Sequence, residues 1–306
     1  MKNRKMRQTE VRCGRFRTSL LEAGCDGSPV LFLIHDGALG ADANVSWGGV
    51  IAELQSDFHI FAPDLYGFGQ SDMLFHFGLR AYQSHVEQIA ALIEVLGVDE
   101  AHFAGTSYGG SVVLRAAAEM PLPWPMRSGT SIGGTGGLFR HESGKRILAE
   151  TQPTPESIRR YLELLTSGAW IGIEENAEQR FQNSLRLGHC EVLASPRFVS
   201  PVKRLAAREA DTYPHSLSQC RVPLLLIEGA KDPLLEHNWA SRIAEHAPNA
   251  RALRFDVSHS PNLDNPALIA NVLREFISEH SGPESLPAGP VKDRSVSMDT
   301  KDADAI

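Results

Sequence analysis

Short apolar runs and helical patterns follow one another along most of this chain, and that order leaves few folds open to it. Runs with the length and bounding turns of buried strands occur at 30–34, 58–62, 101–104, 128–132, 222–227 and 252–255. Helical patterns follow at 86–96, 109–119 and 266–277. Strands that alternate with helices are typical of a parallel sheet covered by helices on both faces. We therefore predict an α/β fold with a mostly parallel sheet.

The alternation is interrupted between about residues 137 and 215, where helical patterns continue without a convincing strand. In this stretch Thr154 is placed to cap a helix that starts at Pro155. Helices inserted between two strands lie over one end of the sheet, so we predict a lid. The predicted divisions are a first part of the core at 1–136, a helical lid at 137–215, a second part of the core at 216–280 and a disordered tail at 281–306.

Composition and charge argue against several classes of protein. The 306 residues carry a formal net charge of −7, whereas a nucleic-acid-binding protein needs a basic face to neutralise phosphates. No apolar run approaches the roughly 20 residues of a transmembrane helix, so no membrane partner is predicted. The basic start between Lys2 and Arg7 is followed by no apolar signal region, and we expect a frayed, solvated N-terminus.

The cysteines are scattered and lack the spacing of metal ligands. They are expected to be free thiols in a cytoplasmic protein, and they are Cys13, Cys25, Cys190 and Cys220. No metal site is predicted from them.

The segment from Gly105 to Gly109 has the sequence GTSYG and lies between a short apolar strand and an Ala-rich helix. A serine on such a tight strand-to-helix turn is held above the edge of the sheet, and small neighbours allow the strained backbone to form. The context favours a nucleophile over an incidental serine in a glycine-rich turn. We predict Ser107 as the nucleophile and the backbone N–H of Tyr108 as a donor to a developing oxyanion.

A serine hydroxyl needs a base to remove its proton, and that base needs a carboxylate to orient it. Among the 12 histidines, His259 lies in a loop after the last predicted strand, at the same sheet edge as Ser107. Asp232 follows the preceding strand and is preferred to two neighbouring acids. Glu228 still belongs to the end of the strand, and Glu236 lies further into the helix that follows. The predicted triad is Ser107, Asp232 and His259.

A second oxyanion donor is predicted in the glycine-rich loop after the strand at 30–34. This loop has the sequence HDGALG at 35–40, and the backbone N–H of Gly37 is the candidate donor. His35 and Gly37 are also residues that shape a tight turn, and the two roles are compatible. For Asp36 a turn-capping role is favoured over one in tuning the site.

Four segments together resemble the α/β-hydrolase superfamily over about residues 20–280. They are HDGALG at 35–40, DLYGFGQSD at 64–72, GTSYGG at 105–110, and GAKDP at 229–233 with SHSPNLD at 258–264. The branch resembled holds meta-cleavage-product (carbon–carbon bond) hydrolases, small esterases, lactonases and cofactor-free haloperoxidase-like enzymes. The resemblance implies an eight-stranded, mostly parallel sheet with a helical lid, and a hydrolase that needs no cofactor or metal.

The expected substrate is a small apolar molecule. An ester or lactone is predicted first, because Thr106 and Ser260-Pro261 stand where carbon–carbon hydrolases often carry Asn and Trp. A vinylogous diketone acid split at a carbon–carbon bond is the alternative, with Arg180 or Arg186 as the cation for its carboxylate. A ligand receptor, a catalytically silent protein, and an enzyme of oxygen or peroxide chemistry are further alternatives. The candidate pocket residues are Asp36, Ala38, Trp170, Arg180 and Phe181.

Overall fold

The structure is a computed structural model that describes residues 3–77, 79–80, 82–142, 144, 153–195 and 211–282. Within these residues, eight strands form one sheet in the order β1-β2-β4-β3-β5-β6-β7-β8. Their bounds are β1 Asn3–Cys13, β2 Phe16–Cys25, β3 Val30–Ile34, β4 His59–Pro63, β5 Ala101–Thr106, β6 Met126–Ile132, β7 Leu224–Gly229 and β8 Ala250–Phe255. Only the β1–β2 and β2–β4 pairs are antiparallel. The predicted α/β class with a mostly parallel sheet is confirmed.

Helices in the described residues cover both faces and one end of this sheet. They are α1 Ala43–Leu54, α2 Gln83–Leu96, α3 Tyr108–Ala117, α4 Pro155–Leu165, α5 Ile173–Ser184, α6 His189–Ala194, a 3-10 helix at His215–Gln219, α7 Trp239–Ala244, α8 Pro261–Asp264 and α9 Pro266–Glu279.

The sheet separates two apolar layers, and alternate residues of β3 enter different ones. Leu31 and Leu33 join a cluster that includes Trp47 of α1. Phe32 and Ile34 join the opposite cluster, which includes side chains of α2 and α3. Because both faces are buried, the central strands are almost continuously apolar. Each fully buried large side chain contributes roughly 1.5–3 kcal/mol, so the two layers hold the strand ends in fixed relative positions.

The prediction of a frayed N-terminus is wrong. Residues 3–13 form the edge strand β1, which pairs along its length with β2. The side chain of Arg7 also makes an ion pair with Glu22 of β2 at 2.6 Å. The strand is stabilised by backbone pairing with a partner across a hairpin, so it needs no run of large apolar residues and gives little sequence signal.

The described part of the segment between β6 and β7 forms α4, α5, α6 and the 3-10 helix, with a single bridge between Arg140 and Leu235. The side chain of Thr154 accepts the amide of Ser157 at 3.0 Å, so the predicted helix cap is confirmed. The lid boundaries at 137 and 215 stay a prediction, because residues 143, 145–152 and 196–210 lie outside the described residues. The predicted tail lies outside them from residue 283 onward.

The four cysteines are free thiols, as predicted. Among the helices of the described residues, none combines the length and the apolar character that crossing a membrane requires.

Candidate active site

Ser107 lies on the turn between β5 and α3 in a backbone conformation that side-chain-bearing residues rarely adopt. Its φ is +53° and its ψ is −111°. The neighbouring glycines are required by space, since a Cβ on Gly105 would lie 2.2 Å from the carbonyl carbon of Gly109. A Cβ on Gly109 would lie 2.1 Å from the carbonyl oxygen of Ile34. The turn therefore presents the serine at the carboxyl edge of the sheet, as the motif predicts.

His259 connects Ser107 to Asp232. Its Nε2 is 2.9 Å from the Ser107 hydroxyl, and its Nδ1 is 2.6 Å from Oδ2 of Asp232. A carboxylate only accepts hydrogen bonds, so in the neutral ring Nδ1 carries the proton and Nε2 is free to accept one from serine. The loops after β5, β7 and β8 thus bring together three residues that are distant in sequence.

The carboxyl group of Asp232 is buried and fully hydrogen-bonded. Its Oδ1 accepts the amides of Leu234 and Leu235 at 2.8 and 3.3 Å. Burial by itself would raise the pKa of Asp232, but the charge and hydrogen bond of His259, with these two amides, outweigh it and lower the pKa. The group is therefore ionised at neutral pH, and it can stabilise a positively charged His259.

The two acids that compete with Asp232 in the sequence are engaged elsewhere. Glu228 accepts the amides of Asn238 and Ala240. Glu236 makes an ion pair with Arg242 at 2.7 Å. Neither bonds the His259 ring.

Gly37 and Tyr108 lie against each other beside Ser107. A Cβ on Gly37 would lie 2.8 Å from the Cβ of Tyr108, and both residues line the pocket that contains the Ser107 hydroxyl. The amide of Ala38 is occupied, since it donates to Oδ1 of Asp36 at 2.9 Å. Within the described residues the amides of Gly37 and Tyr108 have no hydrogen-bond acceptor. These are the two donors expected of an oxyanion hole.

His35 holds the turn that carries Gly37. Its Nε2 accepts the amide of Leu65 at 2.9 Å, and its Nδ1 donates to the carbonyl of Asp36 at 2.5 Å. Burial lowers the pKa of His35, which keeps the ring neutral and both bonds in place. The predicted turn-shaping role of His35 is therefore compatible with an oxyanion role for Gly37.

The pocket beside Ser107 has a volume of about 50 Å³, which is space for a few water-sized groups. Its walls include Ala38, Arg140, Tyr161, Leu234 and Leu235. Of the candidate pocket residues only Ala38 lies in this wall.

Four candidate pocket residues lie elsewhere, for two physical reasons. Asp36 and Arg180 form a buried ion pair with each other at 2.9 Å. Trp170 and Phe181 pack against an apolar cluster that contains Ile158 and Leu263, and neither lines the pocket beside Ser107. These side chains serve the packing of the lid in this structure.

Arg140 is a wall residue that sequence analysis missed. It donates to the hydroxyl of Tyr82 at 3.2 Å, and the Tyr82 ring contacts the Tyr108 ring with centroids 4.9 Å apart. No carboxylate among the described residues makes an ion pair with Arg140. Its position depends on the long-range bridge to Leu235, so no local motif marks it.

One group in the described residues has the arrangement of metal ligands. Glu22, Asp26 and His59 have ligand atoms within 4.8 Å of one another. His59 starts β4 at the amino edge of the parallel strands, opposite the edge that holds Ser107, and Glu22 already bonds Arg7 and His59. The cluster is accounted for by ion pairing and has no place in the serine site.

Comparisons with known proteins identify the family and the fold of this chain. A family model described as "Alpha/beta hydrolase family" matches residues 31–272. A 2-hydroxymuconate semialdehyde hydrolase of Pseudomonas sp. (strain CF600) is 26% identical over 88% of this chain and 93% of its own length. A 2-hydroxy-6-oxo-2,4-heptadienoate hydrolase of Pseudomonas putida (strain F1) is 27% identical over 76% and 82%.

Among solved structures, the 2-hydroxy-6-oxo-6-phenylhexa-2,4-dienoate hydrolase of Rhodococcus sp. strain RHA1 has a TM-score of 0.77. It is 23% identical, and the match covers 90% of this chain and 99% of that one. That likeness supports the eight-stranded fold.

Proposed function

This chain belongs to the alpha/beta hydrolase family, and we propose that it is a serine hydrolase that splits a carbon–carbon bond in a vinylogous diketone acid. The observation that carries the serine chemistry is the continuous hydrogen-bonded path from Asp232 through His259 to the Ser107 hydroxyl. The two relatives described above support the substrate class, since one is named as a hydrolase of 2-hydroxymuconate semialdehyde and the other as a hydrolase of 2-hydroxy-6-oxo-2,4-heptadienoate.

The first half of the proposed reaction forms an acyl-enzyme. His259 takes the proton of Ser107 as Oγ attacks the carbonyl carbon next to the bond to be broken, and the amides of Gly37 and Tyr108 donate to the oxyanion. Asp232 stays ionised and stabilises the charged ring. Collapse of the oxyanion breaks the carbon–carbon bond, and the electron pair leaves on a carbon conjugated to the second carbonyl. That carbon takes up the proton held by His259.

The second half regenerates the enzyme. His259 removes a proton from water, which attacks the acyl carbon, and the resulting oxyanion is held by the same two amides. Expulsion of Ser107 Oγ, with return of the proton, releases a carboxylic acid. Ester or lactone hydrolysis follows the same steps with an oxygen leaving group, so the triad by itself does not select the substrate.

A substrate carboxylate needs a cation in the pocket, and we assign that role to Arg140. The charge of Arg180 is neutralised by its ion pair with Asp36, and Arg186 donates to the backbone carbonyl of Gly69. Arg140 lines the pocket that contains Ser107 and has no carboxylate partner among the described residues.

Replacing Arg140 by Gln is expected to raise KM for 2-hydroxymuconate semialdehyde by about 10- to 100-fold, since a charge-assisted hydrogen bond contributes about 1.5–3 kcal/mol. KM for neutral p-nitrophenyl acetate should change less than 3-fold by the same reasoning. The control is Arg186→Gln, for which both KM values should change by the same factor. Steady-state kinetics on both substrates check this, and an equal change for Arg140→Gln would contradict the assignment.

Ester or lactone hydrolysis is the second candidate, and a specific observation favours it. The lid arginine Arg180 is already neutralised by Asp36, so it adds no attraction for an acidic substrate. Tyr161, Leu234 and Leu235 supply apolar surface next to Ser107.

The test compares turnover of 2-hydroxymuconate semialdehyde and 2-hydroxy-6-oxo-2,4-heptadienoate with that of p-nitrophenyl acetate and a simple lactone. A kcat/KM at least 100-fold higher for the dienoates would support the carbon–carbon proposal, because each tenfold step corresponds to about 1.4 kcal/mol of transition-state binding. The reverse preference would support the second candidate. If no substrate turns over but one binds stoichiometrically, the protein is a receptor and the hydrolase proposal fails.

A further inference from the structure

A buried ion pair joins the lid to the loop that follows β3. Arg180 of α5 donates from Nη1 to Oδ1 of Asp36 at 3.1 Å and from Nη2 to Oδ2 at 2.9 Å. The two side chains are only 1% and 6% exposed. Burying two charges carries a desolvation cost that a well-packed apolar pair avoids. Stability alone is therefore a weak explanation for this pair, and its fixed two-pronged geometry suggests another.

Asp36 also fixes the turn that carries Gly37. Its Oδ1 accepts the Ala38 amide at 2.9 Å, and its Oδ2 accepts the hydroxyl of Ser46 at 2.7 Å. With the Ala38 amide occupied, the adjacent Gly37 amide is left as the donor at the pocket wall. The position of that amide thus depends on where the Asp36 carboxylate is held.

The lid helix α5 is seated directly on this loop. A Cβ on Gly40 would lie 1.8 Å from the carbonyl oxygen of Arg180, so the glycine is needed for the close approach. Asn183 of the same helix donates to the carbonyl of Gly40 at 3.0 Å, and Asn176 donates to that of Val45 at 2.8 Å. The ion pair is therefore the buried centre of a larger contact between lid and loop.

The hydrogen bonds continue from the loop to the strand of the nucleophile. Asn262 donates to the carbonyl of Ser46 at 2.7 Å and accepts the hydroxyl of Thr106 at 2.9 Å. Thr106 is the last residue of β5, next to Ser107, and Asn262 follows His259 by three residues. One buried network thus links lid, oxyanion loop and nucleophile.

We infer that Asp36 and Arg180 are positioning residues, which hold the Gly37 amide at a fixed position relative to the Ser107 hydroxyl. Because Arg180 belongs to the lid helix α5, this position depends on the docking of that helix. The inference rests on the proposed role of Ser107 as nucleophile. It assigns the pair to the oxyanion hole and not to substrate recognition, because each side chain satisfies the other and neither lines the pocket.

The first variant is Asp36→Asn, which keeps the size of the side chain and removes its charge. We expect kcat for p-nitrophenyl acetate to fall about 100-fold with KM changed less than 3-fold, since an oxyanion donor acts mainly in the transition state. This variant leaves Arg180 buried without a counterion, and it can lose stability for that reason alone.

The second variant removes that ambiguity by replacing the pair with apolar side chains, Asp36→Leu together with Arg180→Met. Such replacements often keep or raise stability. The Ala38 amide and the Ser46 hydroxyl lose their acceptor in this variant, but no buried charge is left unpaired. We therefore expect it to stay folded and to unfold in urea at a midpoint above that of Asp36→Asn, while kcat stays about 100-fold low as for the loss of one oxyanion donor. A double variant that is stable and has wild-type kcat would overturn the inference, because the pair would then serve packing only.

Glu22→Gln is the matched control. Glu22 is another buried carboxylate, 7% exposed and paired with Arg7, but it lies within the sheet on β2. Its loss should lower the urea midpoint and leave kcat unchanged. A similar fall in kcat for Glu22→Gln would mean that any buried charge matters, and the inference would fail.

Reaction with a fluorophosphonate separates this inference from the proposed function. Wild-type protein that is not labelled at Ser107 overturns both. If the wild type is labelled and the stable double variant is labelled at the same rate, only the positioning role is wrong. Labelling slowed about 100-fold in the double variant supports the inference, since the reaction forms a charge at the same two amides.

Discussion

Ser107→Ala is expected to lower kcat about 10⁵- to 10⁶-fold, on the scale seen when a serine nucleophile is removed from a triad. In the proposed reaction the Ser107 hydroxyl forms the acyl bond, and Nε2 of His259 lies 2.9 Å from it, within reach of its proton. Residual catalysis from the oxyanion amides would remain. The measurement is kcat on the best substrate, together with mass analysis of fluorophosphonate-treated wild-type and variant protein.

The fold of this variant should be intact. Ser107 has positive φ, and alanine bears the same Cβ, so the backbone strain is unchanged. The control is Ser111→Ala, which removes a hydroxyl that bonds the Ser107 carbonyl at 3.2 Å and should keep the adduct on Ser107. A kcat for Ser107→Ala within tenfold of the wild-type value would contradict the assignment of Ser107 as the nucleophile.

The serine site is close to what the sequence predicts because each of its residues is marked by a motif next to it in the sequence. Ser107, Asp232 and His259 each follow a strand whose apolar run is visible in the sequence, and parallel strands end at one edge. Knowing the strand ends is therefore enough to predict that the three meet. The glycines around Ser107 add a second local constraint, since the turn has no space for side chains there.

The pocket could not be predicted in the same way, because each arginine contacts a partner that is distant from it in the sequence. Arg180 and Asp36 are 144 residues apart in sequence, and their pairing depends on how α5 docks. An exposed lid arginine and a buried, neutralised one have the same sequence pattern. Arg140 reaches the pocket through a bridge to Leu235, which local periodicity does not encode.

The edge strand β1 was missed for a related reason. β1 is polar along much of its length, and its pairing with β2 is made by backbone groups. Residue preferences for strands reflect packing against neighbours, so an edge strand with one partner carries a weak signal.

Asp232→Asn should lower kcat about 10⁴-fold while the protein stays folded, which is the size of effect reported for the equivalent change in a serine triad. The amide can keep an oxygen on the amides of Leu234 and Leu235 and turn its NH₂ toward His259. Nδ1 would then become the acceptor, and the ring proton would move to Nε2. In that tautomer Nε2 donates to Ser107 and cannot take its proton. Steady-state kcat and the rate of fluorophosphonate labelling should fall together.

Glu228→Gln is the control for Asp232→Asn. It removes a buried charge without changing the tautomer of His259. Glu228 is 2% exposed, ends the same β7 region and accepts two backbone amides, as Asp232 does, but its carboxylate pairs with Arg254 at 3.2 Å and not with His259. Its replacement should lower the free energy of unfolding by about 1–3 kcal/mol with kcat unchanged. If Asp232→Asn kept more than a tenth of the wild-type kcat, the carboxylate would not be setting the ring, and Asp232 would have to be removed from the triad.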